Sequence, residues 1–410
     1  MKRYVIVGGS IAGVSCVEGI RSVDRDGEIT LLSAEAQSNY GRPLISYYLE
    51  GKTDLANMSW RGADFYAQNR VQALHGVRAA GIDAASHRLT LSDGRELDYD
   101  ALCVCTGSQP FTPPFEGLET VERRCNFMTL EDARWLEQTV TQRSRVLILG
   151  AGFIGLKCAE GLLGRAGSVT VCDLADHAMS ASLDAESAGY LERHLEARGI
   201  HLRLGDTVAR FYGNSAQLRS GAVLPFDVLV LAVGVRPDAS LLAGAGAAVG
   251  RGILVDAEMR TSLPDIWGAG DCTESRDQVT GELAVLANLP NASLQGRCAG
   301  VNMAGGTASL DGGIRMNAVG VCGLHLMSAG TRDEPVYAER TERTCKKLYA
   351  KDGVLTGFIL VGDVTGAGIY TALIRNRTPL DAIDFETIQR APSLLPFGRR
   401  ERTRMLGGAV

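Results

Sequence analysis

Short apolar runs that lead into glycine-rich turns and then into helical spacing recur along this chain. Residues 3–7 form the first apolar run, and residues 13–23 then place apolar side chains at the helical period. Residues 28–32 form a second apolar run. This order predicts a strand, a helix and a parallel strand, which together form one βαβ unit.

A closely similar unit returns in the middle of the chain. It has a strand at residues 145–149, a helix over about 154–165 and a strand at 168–173. Prolines within residues 110–114 and a glycine-rich stretch at 236–252 mark crossings between domains. The pattern predicts an α/β protein with two Rossmann-like domains and a separate C-terminal α+β domain.

The glycines of both turns fit a dinucleotide-binding pattern. Gly8-Gly9-Ser10-Ile11-Ala12-Gly13 matches G-x-G-x-x-G with Ser10 at the middle position, and Gly150-Ala151-Gly152-Phe153-Ile154-Gly155 matches it throughout. Each turn lies between a strand and a helix, where backbone amides and the helix dipole bind a pyrophosphate. The candidate ligands are Gly8, Ser10, Ile11, Ala12, Gly13, Gly150, Gly152, Phe153, Ile154 and Gly155. Two bound dinucleotides are expected.

The ends of the second strands carry candidate ribose ligands. Asp173 closes the second of the two units, and no Arg or Lys follows within residues 174–177 to accept a 2′-phosphate. A carboxylate at this position accepts hydrogen bonds from ribose hydroxyls, so NADH is favoured over NADPH. In the first unit Ser33 occupies the corresponding position, and Glu35 is the candidate ribose ligand.

Charge and cysteine usage exclude several classes of protein. Lys plus Arg number 42 against 47 Asp plus Glu, a net charge of −5 that argues against nucleic-acid binding. The sequence has no membrane-spanning apolar run, and Met1-Lys2-Arg3 leads directly into a strand, so a cytoplasmic location is expected. The ten cysteines show no C-x-x-C pair and no metal-ligand spacing, which predicts buried thiols and no metal site.

Six segments together resemble the FAD-dependent pyridine nucleotide oxidoreductases, within them the NADH:rubredoxin and ferredoxin reductase-like branch. The resemblance runs from end to end of the chain. It is carried by residues 8–13, 40–46 (Y-G-R-P-L-I-S), 105–107 (C-T-G), 150–155, 234–237 (G-V-R-P) and 267–272 (W-G-A-G-D-C).

The resemblance implies the cofactors and the order of the domains. FAD is expected in residues 1–112 and 246–316, with its pyrophosphate on the first turn, Arg42 and Pro43 along the nucleotide and Asp271 on the ribityl chain. NADH is expected in residues 113–245, which are inserted in the FAD domain, and residues 317–410 form an interface domain. Thr106, Gly107, Gly234 and Gly270 complete the candidate cofactor ligands.

Departures from the family pattern point to electron transfer without a thiol. Relatives with redox-active cysteines place them where this chain has none, so electrons are expected to leave the flavin directly. Tyr47 stands where several relatives have a Lys near the flavin. Lys157 stands where relatives often have a Glu near the nicotinamide, and Glu160 is one helical turn away. Tyr47, Lys157 and Glu160 are the catalytic candidates, with an exposed helix pair as the alternative for the last two.

The expected activity is hydride transfer from NADH to FAD N5, followed by one-electron transfer to an iron–sulfur carrier such as rubredoxin or ferredoxin. Residues 316–410 carry 13 Lys plus Arg and 10 Asp plus Glu, and residues 399–404 concentrate the positive charge, which would suit an acidic carrier. A solvated tail is the alternative for that run. An NADH oxidase, a quinone or small-molecule reductase, and a flavoprotein subunit or redox-sensing scaffold are alternative functions. A homodimer and a subunit of a larger complex both stay open.

Overall fold

Two five-stranded parallel sheets carry the two glycine turns, one in each compact unit of the chain. The computed structural model describes residues 1–37, 39–398 and 402–403. One unit comprises Met1–Phe111 and Val235–Gly313, and the other comprises Thr112–Gly234 and the described residues from Ile314 onward. The segment Thr112–Gly234 of the second unit therefore lies, along the chain, between the two segments of the first unit.

The strands of the first unit form a parallel sheet in the order β19-β7-β1-β2-β3 and three smaller sheets, β18-β20-β21, β4-β5-β6 and β17-β8. Their bounds are β1 (Arg3–Val7), β2 (Glu28–Ser33), β3 (Val71–His75), β4 (Ala79–Asp83), β5 (Arg88–Leu91), β6 (Glu96–Asp98), β7 (Ala101–Val104), β8 (Ser108–Pro110), β17 (Val235–Pro237), β18 (Ile253–Leu254), β19 (Ile266–Gly268), β20 (Thr273–Arg276) and β21 (Leu283–Ala284). The helices are α1 (Ile11–Val23), α2 (Ile45–Glu50), α3 (Phe65–Gln68), α7 (Ser240–Gly244) and α8 (Leu289–Met303). Two 3-10 turns cover Arg42–Leu44 and Ala56–Met58.

The second unit has a parallel sheet in the order β12-β11-β10-β16-β9, a small sheet β13-β14-β15 and an antiparallel sheet β22-β23-β26-β25-β24. Its strands are β9 (Arg124–Asn126), β10 (Arg145–Leu149), β11 (Ser168–Asp173), β12 (Ile200–Leu204), β13 (Val208–Tyr212), β14 (Ser215–Leu218), β15 (Val223–Pro225), β16 (Val228–Leu231), β22 (Met316–Val321), β23 (Leu324–Gly330), β24 (Pro335–Arg340), β25 (Cys345–Lys351) and β26 (Val354–Val361). The helices are α4 (Leu130–Thr139), α5 (Phe153–Leu162), α6 (Ala185–Ala197), α9 (Ala367–Asn376) and α10 (Phe385–Arg390). Two 3-10 turns cover Leu118–Thr120 and Leu380–Ala382.

Helices α1 and α8 pack backbone to backbone over one face of the first parallel sheet. A Cβ at Gly296 would lie 2.1 Å from the carbonyl oxygen of Ala12, and one at Gly300 would lie 2.1 Å from that of Cys16. Only glycine permits this approach, which packs α8 closely against the helix that begins at the first glycine turn. The α/β class predicted from the sequence is confirmed.

Candidate functional site

The first glycine turn is shaped by backbone contacts that exclude any side chain. Gly8 follows β1 with a φ of 121°, and a Cβ there would lie 2.1 Å from the carbonyl oxygen of Cys105. A Cβ at Gly13 would lie 1.9 Å from the carbonyl oxygen of Gly8. Both positions therefore require glycine, and the turn brings the backbone directly from the strand into the first turn of α1.

The second glycine turn repeats this geometry in the other unit. Gly150 has a φ of 110°, and its Cβ would lie 2.1 Å from the carbonyl oxygen of Ala232. A Cβ at Gly155 would lie 1.9 Å from the carbonyl oxygen of Gly150. Around Gly152, which precedes α5 as its N-cap, a Cβ would meet no protein atom within 4 Å. The second turn thus leaves open space at the helix start, where a pyrophosphate binds.

The start of α1 resembles that of α5, except that its N-cap residue is a serine instead of a glycine. Ser10 is the N-cap of α1, and its side chain makes no capping hydrogen bond. Ile11 and Ala12 are buried in the first turn of the helix, while Phe153 and Ile154 are half-buried in the first turn of α5. The first amides of a helix have no partner within it, so both starts offer donors to phosphate oxygens.

Glu35 and Arg42, predicted separately, lie in direct contact beyond the end of β2. The Nη2 of Arg42 donates to Glu35 Oε1 at 2.7 Å, and the hydroxyl of Tyr40 donates to the other carboxylate oxygen. The buried Ser33 hydroxyl accepts from the Glu35 amide at 3.3 Å. Burial works against the charge of Arg42, yet Glu35 and then Tyr40 outweigh it and raise the pKa of Arg42. The contact with Glu35 therefore keeps Arg42 positively charged near the end of β2, a strand of the sheet that carries the first glycine turn.

Asp271 presents a half-buried carboxylate after a glycine in the left-handed conformation. Gly270 has a φ of 87°, and its amide donates to Gln295 Oε1 at 2.8 Å. Burial raises the pKa of Asp271, and the positive charge of Arg42 opposes that rise. Among the described residues no side chain or backbone amide donates to this carboxylate, so it can accept hydrogen bonds from a ligand hydroxyl.

Gln295 is a site residue that the sequence analysis missed. Its Oε1 holds the Gly270 amide and accepts from Thr273 Oγ1 at 3.2 Å, while its Nε2 donates to Ser275 Oγ at 3.1 Å. It is buried on α8, so this helix fixes the loop that carries the candidate ribityl ligand. A lone Gln inside a helix gives no sequence signal for such a role.

The remaining candidates of the first unit lie on short segments around the same sheet. Pro43 is part of the 3-10 turn Arg42–Leu44, and Tyr47 is half-buried on the helix that follows. Thr106 Oγ1 donates to the Asp238 carbonyl at 2.6 Å, and Gly107 accepts from the Asp238 amide at 2.9 Å. A Cβ at Gly107, whose φ is 70°, would meet no protein atom within 4 Å, so this turn also leaves room for a ligand.

Asp173 is positioned by the second glycine turn itself. Its Oδ2 accepts from the Ala151 amide at 2.6 Å, and its Oδ1 accepts from the Ala175 amide at 2.8 Å. Each carboxylate oxygen keeps a second lone pair for a ribose hydroxyl. Gly234 is the last residue of the segment Thr112–Gly234 and has a φ of 120°. A Cβ there would meet no protein atom within 4 Å.

Glu160 is buried and Lys157 is half-buried, so the alternative of an exposed helix pair is wrong. Their side chains are 13% and 5% exposed and form an ion pair on α5. Lys157 Nζ donates to the Gly320 carbonyl at 3.0 Å, and Glu160 Oε1 accepts from the Cys322 amide at 2.7 Å. The pair therefore fastens α5 to the β22–β23 hairpin. The sequence could not show this because the hairpin lies about 160 residues further along the chain. Their catalytic assignment stays a prediction.

All ten cysteines fall within the described residues, and none forms a disulfide. Nine are buried and Cys125 is half-buried. Burial raises the pKa of Cys272 to about 12 and that of Cys298 to about 11, which keeps both as neutral thiols. The Sγ atoms of Cys103 and Cys105 lie 3.5 Å apart, within hydrogen-bond distance of each other, and form no disulfide bond. An accessible thiolate is what thiol-based redox chemistry needs, and the described cysteines do not supply one.

Two further searches cover only the described part of the chain. There, no helix is long and apolar enough to cross a membrane. In the same residues, no group of three or more His, Cys, Asp or Glu side chains is arranged to hold a metal ion. Of the basic run at 399–404, residues 399–401 and 404 lie outside the described residues.

Residues 2–296 match the protein family described as pyridine nucleotide-disulphide oxidoreductase. The chain belongs to this family. It is 31% identical over 391 residues to the epsilon subunit of an NADH-dependent phenylglyoxylate dehydrogenase from Aromatoleum evansii, and the match covers 92% of each chain. It is 32% identical to a putidaredoxin reductase from Pseudomonas putida over 72% of each chain. It spans about half the length, 45% and 48%, of two further relatives from Bacillus subtilis.

The fold of this chain agrees with that of solved structures. A covalent putidaredoxin reductase–putidaredoxin complex contains a chain that superposes with a TM-score of 0.85 and 24% identity, covering 99% of this chain and 98% of that one. The glycine turns, the Glu35–Arg42 pair and the Asp271 carboxylate fit FAD in the first unit, and the second turn with Asp173 fits NADH. This family member is an FAD-containing oxidoreductase that uses NADH.

Proposed function

We propose that this family member oxidises NADH through FAD and passes the electrons to a small iron–sulfur protein, with no protein disulfide between them. The observation that carries the proposal is the pair of glycine turns, which exclude a Cβ at matching positions in both units. The putidaredoxin reductase among the relatives, which takes its name from its partner, supports an electron-carrier protein as the acceptor.

In the first unit, the chain's contribution would be to bind and orient FAD. The amides after Gly8 would hold the pyrophosphate, Glu35 would accept from a ribose hydroxyl, and Asp271 would accept from the ribityl chain. FAD supplies the exchange between a two-electron hydride donor and one-electron acceptors. Arg42 and Pro43 would line the nucleotide, and Tyr47 would lie near the flavin, where an uncharged side chain adds no fixed positive charge.

In the second unit, the amides after Gly150 would hold the NADH pyrophosphate and Asp173 would accept from the adenosine ribose. The Asp173 carboxylate would also repel a 2′-phosphate, which supports a preference for NADH over NADPH. The Lys157–Glu160 pair would keep α5, and with it the pyrophosphate-binding amides, in place.

The acceptor would be an acidic protein that docks by charge. Residues 316–410 carry a net charge of +3, against −8 for the rest of the chain. Complementary charge speeds the encounter of two proteins more than it strengthens their complex. Ten unpaired thiols are also typical of a reducing compartment, which supports a cytoplasmic location.

A second candidate function is the NADH-oxidising subunit of a larger redox enzyme. One relative, matched over 92% of both chains, is named as the epsilon subunit of an NADH-dependent dehydrogenase. The chemistry at FAD and NADH would be unchanged, but the acceptor would be an iron–sulfur subunit of the same assembly. Co-purification of the untagged chain with fixed partners from its own cells would favour this candidate.

Anaerobic stopped-flow mixing tests the proposed acceptor. The NADH-reduced holoenzyme is mixed in parallel with ferredoxin or rubredoxin, a quinone, oxygen and ferricyanide. Faster reoxidation by an iron–sulfur carrier than by the quinone or oxygen supports the proposal. Reoxidation by oxygen at a comparable rate would favour an NADH oxidase, and reduction of ferricyanide alone would remove the carrier from the account.

A further inference from the structure

The side-chain oxygen of Asn126 is shielded from solvent and accepts no hydrogen bond from any residue that the structure describes. A buried acceptor without a partner destabilises the folded protein, and native proteins leave few of them. Such an atom at the end of a strand in an α/β sheet calls for an explanation, because ligands of these sheets bind beyond the carboxyl ends of the strands.

Asn126 lies at the carboxyl-terminal end of the parallel strands, as the second glycine turn does. It is the last residue of β9 and pairs in register with Leu231 of β16, which in turn pairs with Leu149 of β10. Leu149 directly precedes Gly150. Two strand spacings, roughly 10 Å across the sheet, therefore separate the backbone of Asn126 from that of Leu149.

The strand order tells which half of a dinucleotide faces Asn126. In the order β12-β11-β10-β16-β9, the helix after β10 leads to β11 on one side, while β16 and β9 lie on the other. A dinucleotide lies across this switch point, with the adenosine ribose at the carboxylate that ends the second strand. Asp173 ends β11, so the adenosine half belongs to the β11 side and the nicotinamide half to the side of β16 and β9.

We propose that Asn126 Oδ1 binds the nicotinamide half of NADH by accepting a hydrogen bond from its carboxamide N–H. This inference rests on the proposed function, in which NADH binds at the second glycine turn. Binding satisfies an acceptor that the protein alone leaves without a partner, so the new hydrogen bond adds affinity without breaking a hydrogen bond within the protein.

The test measures ligand affinity without turnover. Calorimetry on the oxidised holoenzyme compares NAD+, which carries the carboxamide, with ADP-ribose, which keeps the same ribose but lacks the nicotinamide. The variant Asn126→Leu removes the amide at similar size. Gln217→Leu makes the same kind of change on β14, in another sheet of the same unit, and is the matched control.

Asn126→Leu is expected to raise the Kd for NAD+ about 5- to 10-fold, the effect of one lost hydrogen bond, while the Kd for ADP-ribose changes less than about 2-fold. Its melting temperature should stay at or above that of the wild type, because no hydrogen bond within the protein is lost. Gln217→Leu should change neither affinity. If Asn126→Leu does not fold, the smaller Asn126→Ala carries the same prediction.

Unchanged NAD+ affinity, or an equal loss for both ligands, would overturn the role of Asn126 while leaving the NADH site in place. A wild-type protein that binds neither NAD+ nor ADP-ribose would instead remove the proposed function, and the inference would fall with it.

Discussion

Arg42 donates to Glu35 across 2.7 Å, and the same cation opposes the rise in the pKa of Asp271. One guanidinium thus interacts with a candidate ribose ligand and with the candidate ribityl ligand. These carboxylates come from the loop after β2 and the loop after β19, so the charge of one arginine acts on two segments far apart in the chain.

Replacing Arg42 with Met is expected to weaken FAD binding about 10-fold or more, since it removes a charged hydrogen bond beside the cofactor. The flavin-to-protein ratio after dialysis measures the effect. Arg61→Met is the control, because Arg61 pairs with Glu18 at 2.5 Å in the same unit with similar exposure. Equal flavin loss from both variants would contradict a specific role for Arg42.

The second glycine turn makes opposite predictions for two neighbouring glycines. Gly155→Ala should destabilise the protein by about 3 kcal/mol, because its Cβ would meet the Gly150 carbonyl oxygen. Gly152→Ala should leave the urea midpoint nearly unchanged, because its Cβ meets no protein atom within 4 Å. It should still raise the Kd for NAD+ about 10-fold, since the methyl group enters the space for the pyrophosphate. A Gly152→Ala protein with wild-type NAD+ affinity would place the pyrophosphate elsewhere.

Asp173→Asn is expected to lower the ratio of kcat/KM for NADH to that for NADPH about 10-fold, because the repulsion of a 2′-phosphate is removed. Steady-state ferricyanide reduction with both nucleotides gives the ratio. Asp176→Asn, at a carboxylate with 86% side-chain exposure, is the control. If the two variants give the same ratio, Asp173 does not select the nucleotide.

Glu186 gives a prediction for stability against pH. Hydrogen bonds from Arg340 and then Lys347 lower its pKa to about 2. Because its pKa is lowered on folding, the Glu186 carboxylate stabilises the folded protein fully at a pH above 4.5, the pKa of the group in the unfolded chain. This stabilisation is lost as the pH falls towards 2. Because the Glu186 side chain is 44% exposed, solvent screening limits the cost of Glu186→Gln at pH 7 to about 0.5–1 kcal/mol.

The difference between Glu186→Gln and the wild type should shrink between pH 4.5 and 2, as measured by urea denaturation. Glu122→Gln, at an exposed position, should show no such trend. A difference that stayed constant down to pH 2 would mean that the loss does not come from the carboxylate charge.

The sequence predicted local units well, because strand and turn signals lie within a few residues of one another. The strands Arg3–Val7, Arg145–Leu149 and Ser168–Asp173 have the predicted bounds. The helices differ at their ends: α1 begins at Ile11, within the glycine turn, and α5 ends at Leu162, before Gly164. Helix ends depend on capping and on the turn beyond, which periodicity does not report.

Contacts between distant segments were beyond the reach of the sequence. The partial burial of Lys157 depends on a hairpin whose residues Cys322 and Gly323 have positive φ values of 52° and 87°, as a two-residue turn of this kind requires. Gln295 and Asn126 likewise acquire their significance only when α8 and β9 have been placed. The cofactor motifs could be identified because dinucleotide binding concentrates its requirements in short glycine turns.

Anaerobic titration of the purified holoenzyme with NADH tests the central claim most directly. One NADH should bleach the flavin absorbance of each FAD completely, because FAD is the sole two-electron acceptor and every cysteine is an unpaired thiol. A requirement for two NADH per FAD would reveal a redox disulfide and contradict the account, as would a colourless polypeptide that does not take up flavin.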